Sequence, residues 1–204
     1  SAIMGVHNEL IYVAGGMTVL EGPYQDAVTT VTTFNTTSGK WQRVVEEAAN
    51  IPDGRQHAAG AIVEGIMYVV GGRWFDKTNV RDEVFMLDLS SQTTGWTTGR
   101  NRMPTARGGI SGAVVGSKLY TFGGETNEHA ATGVFDNVEV LDLNTLEWSG
   151  LKAMPVPRHG TSAVAVGNQI YIPGGGLQQY GLPILADGVE HFLNTTDHFD
   201  CVTV

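Results

Sequence analysis

Glycine pairs return along this chain at Gly15-Gly16, Gly71-Gly72, Gly123-Gly124 and Gly174-Gly175, at steps of 56, 52 and 51 residues. Each pair ends an apolar run such as IYVAGG, Ile11 to Gly16. Strand interiors avoid glycine, which packs no side chain and loses the most conformational freedom on folding. A spacing kept four times therefore marks a repeated unit, one that buries its apolar surface only by stacking against its neighbours.

Other residues keep step with the glycines. Tyr12, Tyr68, Tyr120 and Tyr171 stand three places before the pairs, and Arg55, Arg107 and Arg158 stand 16 places before the last three. Trp41, Trp96 and Trp148 follow the first three pairs by 25 or 26 residues, and Pro52, Pro104 and Pro157 lie just before the arginines. Each unit parses into four strands. In the second these are a small apolar stretch within HAAGAIVEG, the bulkier IMYVVGG, the alternating EVFMLDL, and a short strand beginning at Trp96. The first two are joined by a very short turn in every unit (His7 to Glu9, Glu64-Gly65, Gly116-Ser117, Gly167-Asn168), as tight hairpins demand. A four-stranded sheet at a period near 50 is the pattern of one propeller blade.

With these residues in place, the chain resembles the kelch repeat over nearly its whole length. The best match is PTARGGISGAVVGSKLYTFGGE followed by NVEVLDLNTLEW, Pro104 to Trp148. The resemblance implies an all-β, kelch-type β-propeller domain. Its four four-stranded antiparallel blades fall at about 1–49, 50–101, 102–153 and 154–204, as part of a six- or seven-bladed propeller. The end units depart from the pattern. The place of a first arginine falls before Ser1, and Asp200 stands where a fourth tryptophan is expected. Counted from the glycines, CVTV (Cys201 to Val204) aligns with QRVV (Gln42 to Val45), which makes the fourth sheet nearly whole.

Composition agrees with many tight turns between short strands: 27 of 204 residues are glycine and only seven are proline. With 12 Lys and Arg against 21 Asp and Glu, the net charge is -9, so nucleic acid and anionic membrane are poor partners. No apolar stretch is long enough to span a bilayer. Cys201 is the only cysteine, which excludes an intrachain disulfide and a multi-cysteine zinc site.

Residues present in every blade are expected to serve packing, because a catalytic group is needed once. The tryptophans are read as outer-strand covers over backbone left bare by glycine, and the arginines as bridges between neighbouring sheets. Small residues at Ala58–Ala61, Ser111–Ala113 and Thr161–Ala165 suit first strands that crowd together.

Recognition is expected in the loops after the glycine pairs, about 17–27, 73–82, 125–136 and 176–187, which differ from unit to unit. Their candidate ligand-binding residues are Arg73, Trp74, Phe75, Glu125, His129, Gln178, Gln179 and Tyr180. Arg beside aromatic rings is the chemistry of interface anchors. In peptide-binding kelch domains an arginine directly after the glycine pair reaches the propeller mouth. Arg73 matches that position, whereas Met17, Glu125 and Gly176 do not. A second mouth position, two places after the blade arginine, is held by His57, Gly109 and Gly160.

The reading is a non-catalytic scaffold that binds a protein, peptide or glycan, with no cofactor or metal. The alternative is a propeller enzyme acting on a sugar or small metabolite, oxidase- or epimerase-like, with Arg73, Glu125 and His129 as charge stabiliser and proton carriers. The cysteine on which the copper-radical oxidases depend is not matched by Cys201, at the edge of the last blade. His57, His159 and His191 fall in different repeats without ligand spacing, and Asp197, His198 and Asp200 lie in an expected polar turn. GGGLQQYG (Gly174 to Gly181) precedes no helix, and no G-x-S-x-G elbow occurs. Asn35-Thr36-Thr37 and Asn194-Thr195-Thr196 match the glycosylation sequon, each asparagine 20 residues after the first glycine of its pair. With low lysine and abundant Thr and Gly, they favour a secreted protein over a cytoplasmic one.

Overall fold

The computed structural model describes residues 2–18, 26–74, 79–179, 184–186, 189–191 and 199–204, with backbone alone for 184–186, 189–191 and 199–200. Phe75, Tyr180, Asn194, Asp197 and His198 lie outside the described residues.

The chain divides into two compact units, Ser1–Ala106 and Arg107–Val204. In the first unit, β1 (Ile3–His7), β2 (Leu10–Ala14), β3 (Val31–Asn35) and β4 (Lys40–Arg43) form one antiparallel sheet in chain order. A second antiparallel sheet is built the same way from β5 (Ala59–Val63), β6 (Ile66–Val70), β7 (Val84–Asp88) and β8 (Thr97–Thr98). Two short 3-10 helices, Glu46–Ala48 and Gln92–Thr94, follow β4 and β7. The second unit repeats the design in β9 (Ser111–Val115), β10 (Lys118–Phe122), β11 (Val138–Asp142) and β12 (Glu147–Gly150). Its other sheet holds β13 (Val164–Val166), β14 (Gln169–Pro173) and β17 (Phe199–Thr203), with a separate hairpin of β15 (Ile184–Ala186) and β16 (Val189–His191).

The first turns are the two-residue hairpins that the spacing predicts. Backbone in the left-handed region is taken by Asn8 in the first turn and by Glu64 and Gly65 in the second, the primed geometry that follows strand twist. Between sheets the first strands meet closely. A Cβ on Gly5 would lie 2.6 Å from Ile62, and Gly60 leaves room for Ile3. Around this seam Ile3, Tyr12, Val31, Met67, Phe85 and Leu87 form the core of the first unit. Ala113, Tyr120, Phe122, Val138, Val140 and Ile172 are among the core of the second.

The paired glycines are explained by backbone conformation. Their φ angles are 66° and 107°, 60° and 90°, 58° and 122°, and 58° and 104°, a region closed to most L side chains. The twist aims two N–H groups in different directions. Gly15, Gly71 and Gly123 donate to Thr30, Glu83 and Asn137 at the entry of their own third strands. Gly16 and Gly124 donate to the carbonyls of Arg55 and Arg158 in the following sheet, at 2.7 and 2.9 Å.

Three sequence expectations change here. The blade arginines make close side-chain bonds within their own sheets. Arg107, fully buried, donates from Nε to Gly123 O and from Nη2 to Thr121 Oγ1, and pairs with Glu139 at 2.5 Å, all in its own sheet. Arg55 likewise holds Glu83 at 2.6 Å and lies over the Phe85 ring. The carbonyls of Arg55 and Arg158 accept across the sheets.

Tryptophans do not stand nearest the glycine pairs: a Cβ on Gly15, Gly123, Gly124 or Gly175 would first meet neighbouring backbone, and one on Gly16 or Gly72 the methyl of Ala2 or Ala58. The three tryptophans also differ in setting. Trp96 donates its indole N–H to Ala48 O at 3.0 Å and packs on the core. Trp148 is half-buried, its N–H without a partner among the described residues. Trp41 is 64% exposed, edge-on to Phe34.

The third change concerns the C-terminus. Because Gln169 pairs with Thr203 and Pro173 with Phe199, CVTV belongs to a third strand rather than to a fourth. The 2–3 connection of this sheet is longer than its counterparts, which the constant spacing hid. Asn35 is the last residue of β3, whereas Asn194 precedes β17 in the chain, so the two sequons do not occupy equivalent turns.

Candidate functional site

The residue after each glycine pair forms the root of its loop. Met17 bridges Ala27, Arg73 bridges both Gln56 and Val80, and Glu125 bridges both Gly108 and Val134. The second glycine of each of the first three pairs closes the loop base, Gly16, Gly72 and Gly124 accepting from Val28, Arg81 and Phe135 at 2.8–3.0 Å. Position and backbone pairing are thus constant while the side chain varies, which is how a rigid sheet displays different chemistry at equivalent points.

In the first unit Arg73 is 2% exposed, and its backbone exchanges hydrogen bonds with Gln56 at 2.8 and 2.9 Å. The surface residue is its neighbour Trp74, 42% exposed. The guanidinium stacked on that indole, 5.2 Å from the ring centroid, belongs to Arg81, whose Nε lies 3.9 Å from Asp53 Oδ2. A stacked Arg and Trp at the lip of a loop give a preorganised, partly desolvated cation–π pair, the composition of an interface hot spot. Sequence reading found the aromatic and Arg73 beside it, and missed Arg81, whose guanidinium stacks on the ring. The available signal was that Val28 and Phe135, the equivalents of Arg81 at the loop base, are apolar. Unequal loop lengths concealed that equivalence.

His57 has φ 54°, where Gly109 and Gly160 both have φ 65°. An imidazole in that region costs roughly 1 kcal/mol or more. Its Nδ1–H faces Gln56 Oε1 at 2.7 Å.

In the second unit Glu125 is buried, with Oε2 3.5 Å from His159 Nδ1, and His159 Nε2–H donates to Gln178 O at 2.8 Å. This pairing was not expected from sequence, yet the third glycine of GGG encodes it. A Cβ on Gly176 would stand 2.6 Å from His159 Nε2, so the ring fits only against glycine. The imidazole bonds the fourth loop through Nε2 and lies against Glu125 of the third, and Gln179 N–H adds a bond to Thr132 O at 2.8 Å. His129 is exposed, its amide bound to Asn127 Oδ1. Glu125 and His129, which acid–base work would require side by side, therefore sit in opposite settings. Gln178 and Gln179 are half-buried. Among the described residues no three His, Cys, Asp or Glu side chains gather as metal ligands, and no helix is long and apolar enough to cross a membrane.

The sequence profile of the KLHDC2/KLHL20/DRC7 Kelch-repeats domain matches residues 1–203. The chain belongs to the kelch-repeat family. Its sheets are blades of a kelch-type β-propeller, and kelch repeats generally serve as protein-interaction scaffolds. Kelch-like protein terF of Aspergillus terreus is 35% identical over 179 residues, covering 87% of this chain and 38% of that protein. The human Rab9 effector protein with kelch motifs is 38% identical over 94 residues, 43% of this chain and 25% of its own length. Kelch domain-containing protein 3 of Rattus norvegicus is 28% identical over 160 residues, covering 72% and 41%. The kelch chain described here thus spans less than half the length of each of these relatives.

Proposed function

We propose that this kelch chain is a non-catalytic scaffold that holds a protein or peptide partner on the loops after its glycine pairs. Trp74 and Arg81 are the principal anchor. The observation that carries the reading is the stacked, lip-positioned pair, supported by loop roots whose backbone is fixed in every blade. His129, Gln178 and Gln179 offer further contacts in the second unit. Arg73 and Glu125 act beneath them, as residues that hold loop roots in place.

The uncovered apolar faces support a propeller with further blades. Met4 and Val6 are 64% and 63% exposed, although their equivalents Gly60 and Ile62 in the second sheet pack on the preceding first strand. Val164 and Val166 are 54% and 61% exposed on the opposite kind of face. Further sheets of the same repeat are the natural cover for both.

Of the two sequons, Asn35 already has a structural duty. Its Oδ1 accepts from the amides of Thr37 and Ser38, capping the turn. A secreted location rests on composition and on these sequons alone.

Selection of ligands from a displayed peptide library, alongside a glycan array, tests the scaffold reading. Enrichment of peptides whose binding falls at least tenfold with Trp74→Ala and with Arg81→Ala is the expected result. Glycan binding that ignores both substitutions, or turnover of a sugar, would replace it.

A further inference from the structure

Three units begin with the same pentapeptide pattern, an apolar residue, a proline, two variable places and the blade arginine. It reads Ile51-Pro52-Asp53-Gly54-Arg55, Met103-Pro104-Thr105-Ala106-Arg107 and Met154-Pro155-Val156-Pro157-Arg158. The apolar residue and the arginine are buried each time, which fixes the segment between them in the same position. The middle place changes its chemistry from aspartate to threonine to valine.

At the first of these middle places the side chain is an anion. Asp53 Oδ2 accepts from Arg55 Nη1 at 3.0 Å, and its carboxylate is 35% exposed while the guanidinium has no access to water. Thr105 sets a half-buried residue with a hydroxyl at the equivalent place, two residues before Arg107. Burial holds the Arg107 guanidinium below its ordinary value against the pull of Glu139, so a further anion near this arginine is favoured. The approach to Thr105 is basic. Arg100 and Arg102 stand five and three residues ahead of it, both exposed, in a stretch (99–107) outside every strand and helix. Arg102 reaches Asp82 and Glu83 at 2.6 and 2.9 Å, and the Met103 amide donates to Asp82 O at 2.8 Å, which anchors the stretch while leaving Pro104 exposed. Arginines at those two places make a charge pattern by which a protein kinase selects its serine or threonine.

We propose that Thr105 is a phosphorylation site for an arginine-directed protein kinase, and that its phosphate takes the role that the Asp53 carboxylate has one unit earlier. The kinase transfers the γ-phosphoryl group of ATP to Thr105 Oγ1. A new O–P bond replaces the one to the β-phosphate oxygen, ADP leaves, and the hydroxyl proton passes to the base of the kinase. A phosphate two residues before a buried arginine gains charge-assisted hydrogen bonds that a hydroxyl does not supply. The modification therefore strengthens the fold. ATP and protein kinases go with the cytoplasmic one of the two locations weighed from the sequence. The inference does not depend on the partner proposed for the loops.

The folded chain is incubated with ATP and a protein kinase that requires arginine three and five residues before its target, and the phosphate is mapped by mass spectrometry. A synthetic peptide spanning Arg100–Gly108 shows whether the local sequence alone is a substrate. Expected is one phosphate per chain, on Thr105. It should be absent from Thr105→Val, which installs the residue that the fourth unit carries at this place, and should be added at least fivefold more slowly to Arg100→Ala. The phosphorylated chain and Thr105→Asp should both unfold at a midpoint about 2 °C or more above wild type, and Thr105→Val should not. No transfer to the folded chain, whether or not the peptide is modified, would overturn the proposal. So would phosphate on another residue, equal rates for wild type and Arg100→Ala, or a midpoint that does not rise on modification.

Discussion

The amide of Gly124 donates to the carbonyl of Arg158 at 2.9 Å, a backbone link that fastens the third sheet to the fourth. A Cβ on the adjoining Gly123 would collide with that same carbonyl oxygen, far inside van der Waals contact. Gly123→Ala is therefore expected to destabilise by more than about 3 kcal/mol, through combined φ strain and collision. Gly116→Ala, at φ 59° with open space around the new methyl, isolates the strain alone and should cost about 1 kcal/mol. Urea denaturation of the two variants measures the difference, and equal losses would show that the seam is not sterically closed.

The three repeat tryptophans should separate in a stability scan. Trp96→Ala removes a packed indole and its bond to Ala48, with an expected loss of about 3–5 kcal/mol. Trp41→Ala removes an exposed ring with one edge-on contact, worth about 1 kcal/mol. Thermal unfolding at matched pH distinguishes this order from the equal losses that a shared repeat role would give.

Glu139 and Arg107 form a buried pair with almost no access to water. Glu139→Gln leaves a buried guanidinium uncompensated, and a loss of about 3–5 kcal/mol is expected. The double change Arg107→Met with Glu139→Leu should recover much of it, because apolar groups of similar volume need no desolvation. A double-mutant cycle by chemical denaturation gives the coupling.

Acid should weaken the first unit through Glu83. Burial pushes this carboxyl up, but its own backbone amide and the guanidiniums of Arg55 and Arg102 outweigh that and hold it below the ordinary glutamate value of 4.5. A depressed folded value means that Glu83 contributes its full stability above about pH 4.5 and loses it as pH falls through the lower folded value. Glu83→Gln should flatten the acid limb of a stability–pH profile and leave its slope above pH 6 unchanged.

The sheets were legible in the sequence because glycine φ, hairpin turns and strand alternation are local properties repeated at fixed spacing. What the repeat could not reveal were the non-local partners. Arg55 and Arg107 look identical in the sequence, and only the fold shows that their guanidiniums pair with Glu83 and Glu139 of their own third strands. Arg81 stayed hidden because the first three loops differ in length, so its apolar equivalents Val28 and Phe135 do not align by counting. The Glu125–His159 contact joins two loops of different blades, and its one local trace is the third glycine, Gly176. β17 was misplaced for a related reason: a lengthened connection breaks the count from the glycines, while the pairing of Ile170 with Val202 does not depend on it.

The central claim, that the loops after the glycine pairs are the recognition surface with Trp74 and Arg81 as its anchor, meets its most direct test in a binding measurement. A peptide or protein ligand selected on the intact chain is measured by calorimetry against wild type, Trp74→Ala, Arg81→Ala and the control Lys40→Ala on the exposed β4. The account predicts at least tenfold weaker binding for each anchor variant and no change for the control, with unfolding midpoints preserved. Ligand affinity that survives loss of both Trp74 and Arg81 would contradict it.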